Sequence, residues 1–78
     1  MSGKNENIGN MKNRALAGDD LEKRNAIEEI GNQTLPLDKI WEAILALAEI
    51  GKASSWPEPK NLALETIVRM IREVLLEQ

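Results

Sequence analysis

Two pairs of neighbouring carboxylates, Asp19 with Asp20 and Glu28 with Glu29, are the densest groups of reactive side chains in this 78-residue chain. Two carboxylates can divide acid and base work when their environments push their pKa values apart. Adjacent residues on a helix do not face each other, however, and no apolar pocket is legible around either pair. All four read as solvated surface. The chain has no His and no Cys, which removes Ser-His-Asp and Cys-His nucleophile systems, His phosphotransfer, disulfides and the usual zinc ligands. Its glycines are isolated and follow no strand, so neither a phosphate-binding loop nor a dinucleotide-binding turn is present. The stretch "NENIGNMKN" lacks the acidic residues of a calcium loop. No catalytic residue, cofactor or metal is indicated, and the chain is expected not to be an enzyme.

Charge points to no strong attraction for nucleic acid. The net charge is −3, so no general attraction to phosphate is expected over the folded part. Lys4, Lys12 and Arg14 face only Glu6 within residues 1–18, and this short basic arm is the one place where phosphate contacts are conceivable. A helix-turn-helix reading of "IGNQTLPLDKIWEA" would make its second helix expose Asp38, Lys39, Glu42 and Glu49, a net negative face, which argues against DNA recognition. The N-terminus is polar and the longest purely apolar run is "AILALA", so no membrane segment is expected. The absence of Cys fits a reducing compartment, the cytoplasm.

The elements that would carry any site are helical. No window alternates apolar and polar residues with the period of a half-buried strand. Residues 1–18 hold three Gly and four Asn, poor helix formers, and are expected to be a disordered arm whose removal leaves stability unchanged. Ile8, Met11, Ala15 and Leu16 fall at helical spacing within it and could order against something else. Residues 19–78 then form one α-helical domain. Asp19 with Glu22 resembles a capping box and opens a helix over 20–30, free of breakers until Gly31, with Leu21, Ile27 and Ile30 inward. Pro36 suits a first helical position and Gly51 a stop, giving a second helix over 36–50. Its apolar face is Leu37, Ile40, Trp41, Ile44, Leu47 and Ala48, widened by Leu45, Ala43 and Ala46. A third helix over 60–77 carries Leu64, Ile67, Val68, Ile71, Val74 and Leu75. The expected fold is all-α: a helical hairpin plus a short first helix.

A domain of this size buries only about 60% of the surface its unfolded chain exposes. Without disulfides or metal, small scaffolds usually need a second copy or a partner. The two longer helices offer more apolar surface than each other and the thin first helix can cover, and uncovered apolar patches mark association surfaces. The expected dimer or partner interface is Ile40, Trp41, Ile44, Leu45, Trp56, Ile67, Met70, Ile71 and Val74. Trp41 is expected to anchor the core or the dimer core, with a hot spot for a different partner protein as the alternative. Trp56 either folds back to cap the bundle or stands exposed as a contact.

The segments "IEEIGNQ", "LDKIWEAILALAE" and "LETIVRMIREVL", behind a polar N-terminus, resemble the AriR-like biofilm and acid-resistance regulators of bacteria over about residues 25–76. That resemblance implies a non-enzymatic helical dimer that modulates regulatory proteins, and it supplies no catalytic residues. The expected function is a small protein-protein interaction module, a regulator, adaptor or inhibitor, that pairs with itself and with another protein. The alternatives are a nucleic-acid-associated regulator using the basic arm and a structural subunit of a larger assembly.

Overall fold

A computed structural model describes residues 7–77, and among them there are four helices and no strand. These are α1 (Ile8–Ala17), α2 (Asp20–Asn32), α3 (Leu37–Ala53) and α4 (Pro57–Glu77). Residues 1–6, including Lys4, lie outside the described part.

The all-α class holds, but the number of helices is four rather than three. Most of the expected disordered arm is α1. Asn7 caps it, its Oδ1 accepting from the Asn10 N–H at 2.7 Å, which satisfies one of the open donors of the first turn. Ile8, Met11 and Ala15 are buried against the other helices. Gly9, Asn10 and Asn13 weaken α1 intrinsically, yet its i, i+3, i+7 stripe has a core to join, and tertiary packing outweighs propensity. Leu16 stays at the rim.

Asp19 caps α2 as its spacing from Glu22 predicts: Oδ1 accepts from the Glu22 N–H at 2.9 Å. The preceding turn is fastened by Lys23, which is buried along its stem while Nζ donates to the Gly18 carbonyl at 2.7 Å. A cation at that point complements the negative end of α1. Ala26, Ile27 and Ile30 face inward, whereas Leu21, expected in the core, is exposed.

Neither glycine ends its helix. Gly31 lies within α2, and Gly51 is buried inside α3, which runs on to Ala53. Pro36 is the residue before α3, and its carbonyl accepts from the Lys39 and Ile40 N–H groups. α4 begins at Pro57 rather than near residue 60. A Cβ built on Gly51 would lie 2.9 Å from the Cβ of Ala63, so α3 and α4 cross there closer than any side chain permits. Gly51 serves a helix contact, not a helix end.

α3 touches all three other helices, and α4 touches α2 and α3. The Cα envelope measures 37 × 34 × 15 Å. Helices pack about 8–10 Å apart, so 15 Å is a depth of two layers. α1 meets α3 on the side of Glu49, which faces Lys12 at 3.6 Å. α2 meets α4 where Arg69 donates to the Gly31 carbonyl and where Arg24 donates to Glu58 at 2.8 Å. Together they back one side of the α3–α4 hairpin.

Two outcomes are expected. A chain starting at Gly18 should lose cooperative unfolding, because it strips a buried layer whose single Ile or Met truncations would each cost about 2–5 kcal/mol; an unchanged melting temperature by circular dichroism would contradict the packing of α1. Gly51→Ala should be destabilising on denaturant titration, since overpacking at a rigid neighbour costs about 1–3 kcal/mol against a helix-propensity gain of roughly 1 kcal/mol. Ala63→Gly in the same chain should relieve the clash.

Candidate functional site

The four paired carboxylates are each used for structure. Asp19 caps α2, Asp20 accepts from the Ser55 N–H at 2.9 Å, Glu28 pairs with Arg24 and Glu29 with Arg14. The Arg24 guanidinium is held further above its ordinary range by its hydrogen bond to Glu58 and by the charge of Glu28. Among the described residues no three His, Cys, Asp or Glu side chains gather where a metal ion could sit. A cleft of about 630 Å³ is walled by the α2–α3 connection with Arg69 and Glu73 opposite, and neither charged group is buried.

The two cations of the basic arm that lie within the described residues face carboxylates of other helices. Lys12 lies 3.6 Å from Glu49 and Arg14 3.9 Å from Glu29, and no helix of the described residues is long and apolar enough to cross a membrane.

What the fold leaves open is apolar. On α3, Leu37, Trp41 and Leu45 project from the hairpin, with Ile40 and Ile44 half-buried beside them. On α4, Leu64, Val68, Ile71 and Leu75 do the same, with Ile67 half-buried. The spacings i, i+4, i+8 and i, i+4, i+7, i+11 each define one helix face. A groove of about 340 Å³ runs between α3 and α4 beside Leu64, lined by Leu47, Ala48, Gly51, Ala63 and Ile67 together with Lys52 and Lys60. The buried residues of α3 and α4 share one core with those of α1 and α2, so these exposed stripes lie on the side of the hairpin away from α1 and α2.

The seven large side chains on this face are 38–67% exposed. At roughly 200 Å² for a whole large side chain, they present on the order of 700 Å², above the roughly 300–600 Å² of the largest patch on a typical monomer. No family model, curated protein or solved structure matches the chain.

Of the residues expected at an interface, the structure brings Ile40, Trp41, Ile44, Leu45, Ile67 and Ile71 together on this face. Trp56 stands half-exposed on the α3–α4 connection and does not fold back over the core. Met70 and Val74 are corrections: both are buried. They belong to the inward stripe Ala63, Thr66, Met70, Val74, whereas Leu64, Val68, Ile71 and Leu75 on the neighbouring stripe point out. One step along a helix turns a side chain about 100°, and both stripes read as apolar in the sequence. Periodicity alone therefore does not separate Leu37, Leu64, Val68 and Leu75, which lie on the open face, from the core.

Trp41 is not the core anchor. Its ring is 54% exposed, while Leu47 on the same helix is fully buried. Measured on the dilute chain, Trp41→Ala should therefore cost about 1 kcal/mol, the common value for a point change. Leu47→Ala should cost about 2–5 kcal/mol. Comparable losses at the two positions in chemical denaturation would contradict this division of α3 into an inner and an outer side.

Proposed function

We propose that this chain is a non-catalytic protein-interaction module whose working surface is the outer face of the α3–α4 hairpin. One observation carries the reading: seven large apolar side chains stand exposed on the outside of the hairpin while Ala43, Ala46 and Ala63 take inner places beside Leu47, Ile50, Met70 and Val74. A subunit that had only to fold alone would give inner places now held by alanine to some of these larger side chains, because burying a large aliphatic side chain stabilises by about 1.5–3 kcal/mol. Leaving Leu45, Leu64 and Leu75 outside is favourable when a second polypeptide covers them. The face also has what hot spots require: a central Trp, flanking aliphatics and a polar rim. A role as regulator, adaptor or inhibitor accords with this surface and with the resemblance to the AriR-like regulators.

A photo-crosslinking residue placed at position 45 or 68 in cells of the native host should give discrete adducts. The same residue at position 28, on the exposed side of α2, should give none. Adducts absent from 45 and 68, or equally abundant at 28, would overturn the assignment of this face.

A further inference from the structure

We infer that the occupant of the α3–α4 face is a second copy of this chain, laid across it antiparallel about a two-fold axis that passes beside Leu45. This rests on the reading of that face as the association surface and goes beyond it by naming the partner and its register. The first argument is charge. Asp38 and Lys52 lie seven residues on either side of Leu45 along the outer stripe of α3, and seven residues are close to two full turns. Glu65 and Arg72 lie seven apart along the outer edge of α4, their midpoint between Val68 and Arg69. All four are exposed, and among the described residues none makes a side-chain ion pair within the chain.

The two midpoints are level. Gly51 meets Ala63 across the antiparallel pair, so six residues back along α3 is Leu45 and six residues forward along α4 is Arg69. One axis lying in the plane of the face and running across both helices therefore serves both pairs. It sets α3 on the partner's α3, with Lys52 against the partner's Asp38, and α4 on the partner's α4, with Glu65 against the partner's Arg72. Because the contact is isologous, each pair occurs twice. The other two-fold, along the helices, would lay α3 on the partner's α4 and set Lys52 against the partner's Lys60, since both line the same end of the groove. Like charges facing across an interface disfavour it.

Shape and area agree. Trp41, four residues before Leu45, falls on the partner's Ala48, three residues after it, so a large ring meets a small side chain twice. The face offers on the order of 700 Å² per chain, close to the roughly 800 Å² each partner gives a stable interface.

Light scattering of the purified chain at micromolar concentration should give twice 8.7 kDa. Lys52→Glu and Asp38→Lys should each weaken self-association, by roughly tenfold as two attractive pairs become two repulsive ones, while the two variants mixed should pair with each other as tightly as the unaltered chain. Because the chain has no Cys, Leu45→Cys supplies a single thiol near the axis and should oxidise to a disulfide-linked dimer. A chain of single mass would overturn the inference, and if position 45 still crosslinks to a polypeptide of another mass, the association surface stands while the second copy does not. A dimer whose charge variants neither weaken alone nor recover when mixed, and in which the position 45 thiols do not join, would overturn the register.

Discussion

The contact on which the rest depends is the close approach of α3 to its neighbours. α3 touches every other helix, and it does so through Ala43, Ala46, Leu47, Ile50 and Gly51, mostly small residues. Small side chains let helix axes come near, and interiors pack at the density of organic crystals. The interior so formed is thin, and its largest fully buried side chains are aliphatic or Pro59, none of them aromatic. Neither Trp is buried. The outer face is thus the counterpart of the narrow core: the tighter the small residues draw the layers, the less room remains inside for Trp41, Leu45 or Leu64.

The ends of the helices hold this arrangement in register. Asn7 and Asp19 close the starts of α1 and α2, and such caps are worth about 1 kcal/mol each. Lys23 ties α2 to Gly18, the residue that closes α1. Ser54 donates from Oγ to the Ile50 carbonyl at 2.9 Å, while Asp20 and Arg24 at the start of α2 reach Ser55 within the α3–α4 turn and Glu58 in the first turn of α4. Asp19, Asp20, Glu28 and Glu29 are thus engaged in folding, and the cations of α1 face carboxylates of α2 and α3. Asp38, Lys52, Glu65 and Arg72 on the outer rim of the hairpin make no such ion pairs among the described residues, and this difference separates the inner and outer surfaces chemically.

Much of the class was legible in residue types and their local spacing. The lack of His and Cys removed whole families of chemistry, the absence of period-two alternation argued against strands, and Asp19 with Glu22 located a cap that is present where its spacing put it. The apolar residues of "PLDKIWEAILALAEIG" outnumber the places one helix has in a small core, and α3 accordingly carries Leu37, Trp41 and Leu45 in the open. Type and local spacing are what a sequence states directly.

Tertiary structure decided which of the apolar residues are inside. The composition of residues 8–17 argued for disorder, yet Ile8, Met11 and Ala15 fold because two other helices supply surface for them, and that surface is not encoded within the segment. Gly51 carries the signature of a helix stop, and only the position of Ala63 makes it a contact. Trp41 and Met70 exchanged roles for the same reason: a stripe one residue over differs by about 100° in direction, and which direction is inward is set by where the neighbouring helices lie. The sequence by itself determined that this chain is helical, poor in catalytic groups and rich in apolar surface; only the packing of the four helices decided which of that surface enters the core and which is left on the outer face.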